Sequence, residues 1–257
     1  MFLLFAVVLN LVLVACAEQT MEPTGLKETT NEWSYDEFTG PEYWGELASE
    51  NLACVNGNEQ SPINVEFAQV KADKKLKGTQ IYYEPTSFTL VNNGHTIQAN
   101  ATTDSNLIVV DGSVYKLSQF HFHTPSEHQF NGQHYDMEIH LVHNDKNGRL
   151  AVFGVMIQQG KENKILASIW GELPNEETEK VISEEYLIHL QALLPQNQKS
   201  FHYDGSLTTP PCTEQVKWMV FEQPIEMSKE QIQAFQQIFS DNHRPIQPLN
   251  EREIIKN

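Results

Sequence analysis

The spacing of hydrophobic and polar positions divides the chain into three parts. From Phe2 to Ala17 only Asn10 interrupts an apolar run. That length falls below the roughly 20 residues of a membrane-spanning helix and fits the core of a secretion signal. No Lys or Arg precedes Lys27, so the positive charge that normally opens such a signal is missing. Residues 18–31, "EQTMEPTGLKETTN", are polar and aperiodic with Pro and Gly, the composition of a flexible tether. Beyond them, residues 32–257 are dominated by short stretches rich in branched and aromatic side chains. "TQIYYEP", "SFTLVNNGHTIQAN", "NLIVVDGSVYKLSQFHFH", "MEIHLVHND" and "RLAVFGVMIQQ" are separated by Asn-Gly and Asp-Gly turns. They predict consecutive antiparallel strands.

Two stretches carry helical spacing instead. "KENKILASIWGEL" repeats Ile165, Leu166, Ile169, Trp170 and Leu173 on one face. "SKEQIQAFQQIF" opens on Ser228 with Gln231 three residues on, a capping box, and is expected to bury Ile232, Phe235 and Phe239. There is no internal repeat, so a single mainly β domain (α+β) with short helices is the expected fold.

Charge and cysteines narrow the setting. Seventeen basic against 34 acidic residues leave a net charge of −17, which repels phosphate backbones and argues against a nucleic acid partner. The apolar run ends in "LVAC", Leu13 to Cys16, which resembles the lipobox of bacterial lipoproteins. In that reading Cys16 is lipidated, the lipid is the only membrane attachment, and the protein is exported to the periplasm or cell envelope. Cys54 and Cys212 then remain as an even pair in an oxidising compartment, bridged or left as two buried thiols.

Candidate chemistry lies in two of the predicted strands. Residues two apart on a strand share a face. Gln119, His121 and His123 therefore project together while Phe120 and Phe122 point into the core, and Glu138, His140 and Val142 share a face on the second strand. If the strands are neighbours, three imidazoles converge. Three neutral histidines with an open fourth position are the ligand set of catalytic zinc. Gln119 and Glu138 are placed to accept the other N–H of His121 and His140. His134, His143, His189, His202 and His243 lack such company and read as surface or core residues.

"GPEYWGEL", "QSPINV", "NNGHTI", "QFHFHTPSEH", "MEIHLVH", "LAVFGV", "YDGSLTTPPCTEQVKW" and "NHRPIQPL" occur in that order between Trp33 and Asn250. Together they resemble the α-class carbonic anhydrases, and the short connection from His123 to Glu127 resembles the bacterial branch. The resemblance implies a central twisted, mostly antiparallel sheet of about ten strands around a cavity that reaches one Zn2+. It implies reversible hydration of CO2 to bicarbonate through zinc-bound hydroxide, with CO2, bicarbonate and water as the small-molecule partners. His121, His123 and His140 are then the ligands, and Asn242 offers its backbone carbonyl to His123. Glu127 and Thr208 orient the nucleophile. Val142, Val152, Leu207, Thr209, Val216 and Trp218 form the substrate pocket. His95 carries the proton out through waters near Tyr35, Asn93 and Gln98. Thr124 and Gln98 depart from residues found in some members, and neither is a ligand. A non-catalytic scaffold and a zinc store are the rival readings; oligomeric state is left open, a dimer being compatible.

Overall fold

Strands this rich in alternating apolar residues need partners on both edges, and in the computed structural model they find them in one large sheet. The structure describes residues 32–73, 78–181 and 187–257. The expected signal, tether and lipidation site lie outside these residues. The strands are β1 (Asn64–Val65), β2 (Lys71–Ala72), β3 (Gln80–Tyr82), β4 (Phe88–Asn92), β5 (Ile97–Ala101), β6 (Leu107–Val110) and β7 (Ser113–His123). They continue with β8 (Gln129–Phe130), β9 (Met137–Asn144), β10 (Leu150–Gln159), β11 (Thr178–Val181), β12 (Ser200–Ser206), β13 (Glu214–Met227) and β14 (Ile255–Lys256).

Among the described residues the main sheet has 12 strands and runs β11-β4-β5-β7-β9-β10-β13-β12-β14-β2, with β6 pairing to β7 and β3 to β6. Most neighbours in it are antiparallel. The exceptions are β10 with β13 and β14 with β2, which run parallel. A long connection separates β10 from β13 in sequence, which is what parallel neighbours require. The strand count exceeds the expected ten or so partly because β2 and β14, two residues each, extend one edge.

The two faces of the central strands differ in chemistry. On one, Phe120 and Phe122 of β7 pack with Ile139 and Leu141 of β9 and Phe153 and Val155 of β10, all at most 1 % exposed. Side chains of this size contribute about 1.5–3 kcal/mol each when fully buried. The helices Ala167–Trp170 and Lys229–Gln236 close this core with Ile169, Ile232 and Phe235. Ser228 forms the expected capping box with Gln231. Phe239 is only half-buried, because the helix ends before it.

The helix expected over 161–173 is shortened to Ala167–Trp170. Asn163 is the physical reason: its side-chain oxygen accepts from the Ile165 and Leu166 amides, so a turn replaces the first helical residues. The Gln231 side chain holds that turn through both the amide and the carbonyl of Asn163.

Cys54 and Cys212 form a disulfide across 158 residues. In the chain-entropy model a loop of that size contributes about 5 kcal/mol. Both cysteines pack on Trp44. Beside them the buried Arg244 guanidinium donates to Gln60 Oε1, Ser61 O and Cys54 O. Burial lowers its pKa to about 10, and it keeps its proton at neutral pH.

His143, on the core face of β9, is fully buried. Its Nδ1–H donates to Ala151 O at 3.1 Å, and Nε2 accepts from the Tyr83 hydroxyl at 2.6 Å. Burial, against the opposing pull of the Ala151 carbonyl, lowers its pKa to about 4. The unfolded chain takes up a proton on this residue near pH 6.5, and the folded chain resists until about pH 4. Stability should therefore fall with pH across that window, by about 1.4 kcal/mol per unit and about 3 kcal/mol in all from this group. Denaturant titrations from pH 7 to pH 4 are expected to show a shallower loss in His143→Gln than in the wild type. Equal losses would rule out this source of acid sensitivity.

Candidate metal centre and active site

Strand register carries the chemistry on the opposite face. His121 stands across from His140 and His123 across from Glu138 in the β7–β9 pair. On β5, Gln98 faces His121 and Asn100 faces Gln119. On β10, Val152 faces Val142 and Gly154 faces His140, and Trp218 of β13 lies beside Val152. Antiparallel partners share a face, so these side chains converge. His121, His123 and His140 bring one nitrogen each to within 4.8 Å of one another.

The remaining nitrogen of each imidazole is committed elsewhere. His121 Nδ1 donates to Gln119 Oε1 at 2.8 Å, His123 Nδ1 to Asn242 O at 2.7 Å, and His140 Nε2 to Glu138 Oε1 at 3.0 Å. All three partners are oxygen acceptors, which assigns the proton to the bonded nitrogen. His121 Nε2, His123 Nε2 and His140 Nδ1 are left as lone pairs. His123 Nε2 is buried with no hydrogen-bond partner, and so is Glu127 Oε2, 3.5 Å away. Two buried acceptors side by side are costly until a cation or a donor arrives.

Burial, reinforced by mutual repulsion, keeps the imidazoles neutral. It holds His121 and His140 below the usual histidine range and His123 at about 4. Neutral imidazoles with inward lone pairs fit a divalent metal ion, and zinc in particular.

The site lies in a cleft of about 120 Å3. Val142, Val152, Leu207 and Trp218 give it an apolar wall, and Thr208 and Thr209 enter from the β12–β13 loop. Val216 is fully buried with Val142, Val152 and Trp218 and is not among the lining residues. Tyr35, Asn93, His95, Gln98 and Gln119 line the rest.

His95 is half-buried and stacks on Trp33, ring centroids 3.7 Å apart. Burial lowers its pKa, partly offset by Glu177 and Glu32. The Asn93 side chain anchors its turn by accepting the His95 and Thr96 amides. Burial raises Glu127 above the ordinary carboxylate range, while His140, the Thr208 hydroxyl and the Arg244 amide pull it back. Burial also raises Tyr35, with the Glu127 and Asp241 charges adding to it.

Comparison with known proteins meets this geometry. The family model for eukaryotic-type carbonic anhydrase matches residues 39–257. The chain belongs to the α-carbonic anhydrases. A carbonic anhydrase of Klebsiella pneumoniae is 43 % identical over 228 residues, covering 87 % of this chain and 90 % of its own length. One from Nostoc sp. is 44 % identical over 232 residues, covering 88 % and 86 %. The solved α-carbonic anhydrase of Thermovibrio ammonificans, in complex with the inhibitor sulfanilamide, superposes with a TM-score of 0.84 at 44 % identity. It covers 87 % of this chain and 98 % of its own.

Within this carbonic anhydrase site, sequence reasoning left His128 without a role. It follows Glu127 in an aperiodic loop, so no spacing rule marks it. The structure buries it completely and sets its Nδ1 2.8 Å from Glu138 Oε1, while its amide donates to Oε2 at 2.8 Å. Burial alone would raise Glu138; the ring N–H groups of His128 and His140 pointed at it outweigh that and hold it well below the usual range. Asn242, whose carbonyl holds His123, is itself pinned, accepting from the Thr124 amide and donating to His95 O and Phe122 O.

Gly154 makes room for the Glu138 carboxylate. A Cβ at that position would stand 2.7 Å from Glu138 Oε1. Gly154→Ala is therefore expected to cost about 1–3 kcal/mol of stability. It should also weaken metal binding about tenfold or more by displacing the carboxylate behind His140. Denaturant titration with chelator competition checks both, and unaltered affinity would contradict the role given to that space.

Proposed function

We propose that the chain catalyses the reversible hydration of CO2 to bicarbonate and a proton at a zinc ion held by His121, His123 and His140. The observation that carries this reading is the set of three neutral imidazoles, each with its outer nitrogen committed and its inner lone pair free, at the base of a cleft with one apolar wall. Bound zinc would lower the pKa of its water far below that of bulk water, to about 7, and so supply a nucleophile at neutral pH.

The chain's own groups do the rest. The Glu127 carboxylate, fixed by the Arg244 amide at 2.8 Å, accepts a hydrogen bond from the Thr208 hydroxyl. That would leave the Thr208 oxygen as an acceptor that orients the nucleophile towards the apolar wall. Val142, Val152, Leu207 and Trp218 hold CO2 there by contact, since it offers little to hydrogen bonds. Thr209 gives the departing bicarbonate a polar edge. His95, at the cleft and half-buried, accepts the released proton through waters beside Tyr35, Asn93 and Gln98.

Export fits the same reading. We assign residues 1–17 to a signal, Cys16 to lipid attachment and 18–31 to a tether that leaves the domain in the periplasm or cell envelope. The Cys54–Cys212 disulfide supports an oxidising compartment.

Stopped-flow CO2 hydration with a pH indicator tests the function. The zinc-loaded chain is expected to run far above the uncatalysed background, and His123→Ala to return to it. Background rates in the zinc-loaded wild type would leave zinc storage or scaffolding as the account. A separate outcome belongs to His95→Ala: kcat should fall about tenfold or more with kcat/KM unchanged, and imidazole buffer should restore it. An equal fall in both constants would remove His95 from the proton path.

A further inference from the structure

The proposed chemistry leaves one buried polar chain unused. His128 Nε2 lies 2.6 Å from the Tyr203 hydroxyl, which lies 2.8 Å from Ser61 Oγ, and Ser61 Oγ accepts from the Ser206 amide at 3.1 Å. At the other end, His128 and His140 donate to the same oxygen of Glu138, at 2.8 and 3.0 Å. Ser61, His128 and Glu138 are fully buried, and Tyr203 is 5 % exposed.

Direction follows by elimination. A carboxylate only accepts, so His128 Nδ1 carries the proton and Nε2 must accept from Tyr203. The Tyr203 oxygen then accepts from Ser61. Every link points its donor towards Glu138. Gly205 permits the approach, since a Cβ there would stand 2.3 Å from Ser61 Oγ and 2.7 Å from the Tyr203 ring.

We propose that Ser61, Tyr203 and His128 are positioning residues that act through Glu138 on His140 and set how strongly that imidazole donates to the metal ion. The proposal rests on the reading of His121, His123 and His140 as ligands. In a low-dielectric interior, linked hydrogen bonds polarise one another. Each donor in the chain draws charge from Glu138. Less charge then remains to pull the Nε2 proton of His140, its Nδ1 lone pair is less basic, and the ion stays more acidic towards its water.

The other charged groups facing these residues are fixed by contacts of their own. Glu127 Oε2 lies 3.8 Å from His140 Nδ1, and the Arg252 guanidinium sits 5.6 Å above the Tyr203 ring. Arg252 is held by the Leu249, Asp204, Gln60 and Pro248 carbonyls.

Cobalt-substituted protein provides the test, since its visible spectrum follows deprotonation of the metal-bound water directly. Cutting the chain at Tyr203→Phe returns charge to Glu138. The spectral midpoint and the pH midpoint of kcat/KM should both move up by about half a pH unit, about a threefold change in the deprotonation constant. Ser61→Ala, three hydrogen bonds from Glu138, should move both in the same direction by less, and it carries the test if Tyr203→Phe does not fold. Cobalt affinity measured by chelator competition should stay within about threefold of the wild type in both variants, well short of the loss that follows when a ligand's direct partner is removed.

Weakened affinity with unmoved midpoints would reduce these residues to scaffolding and overturn the proposal, as would downward shifts. A wild-type chain that takes up no cobalt would overturn the ligand assignment and this inference with it. Cobalt uptake without CO2 hydration would sink the proposed function while leaving the spectral comparison intact to decide this inference.

Discussion

The pairing register between β7 and β9 is the constraint on which the rest depends. A slip of β7 by one residue would send His121 and His123 into the apolar core and turn Phe120 and Phe122 towards the cleft, and a slip of β9 would do the same with His140 and Leu141. Burial of the phenylalanines against the helices Ala167–Trp170 and Lys229–Gln236 makes that slip prohibitive. The energy that places the imidazoles thus comes from the opposite face of the same strands. Hydrophobic packing, which knows nothing of metals, sets the metal site.

Within that frame, the cost of the site is concentrated in two buried carboxylates with different solutions. Glu138 is bonded by the His128 ring, the His128 amide and His140, and it is held ionised. Glu127 has one firm donor, the Arg244 amide, and an Oε2 without a partner; burial raises its pKa. The first fixes a ligand, whereas the second keeps an acceptor open where the chemistry is proposed to occur. Unpaired polarity therefore collects where the chemistry is proposed to occur, and the fully bonded carboxylate stands behind a ligand.

Period-two spacing made much of this legible in the sequence. It put Gln119, His121 and His123 on one face and Glu138 and His140 on another, while the adjacency of the two strands rested on the family resemblance and stands in the register. What spacing could not show is instructive. The Asn242 carbonyl is a backbone atom 119 residues from His123, and only family resemblance pointed to it. His128 sits in a loop without periodicity, so its burial depends on the fold around it. Val216 follows the alternation of its strand yet is not among the residues that line the cleft, being buried with Val142, Val152 and Trp218. The helix read over 161–173 was cut short by one side chain, Asn163, competing for backbone amides.

The central claim, that three imidazoles hold a zinc ion which activates water for attack on CO2, is tested most directly by isotope exchange. The loss of 18O from labelled CO2 into water would be followed for protein stripped of metal and then titrated with zinc. The account predicts background exchange in the stripped protein and a rate that rises linearly with zinc to a sharp break at one ion per chain. Exchange that does not respond to zinc, or a site that fills with no gain in rate, would contradict it.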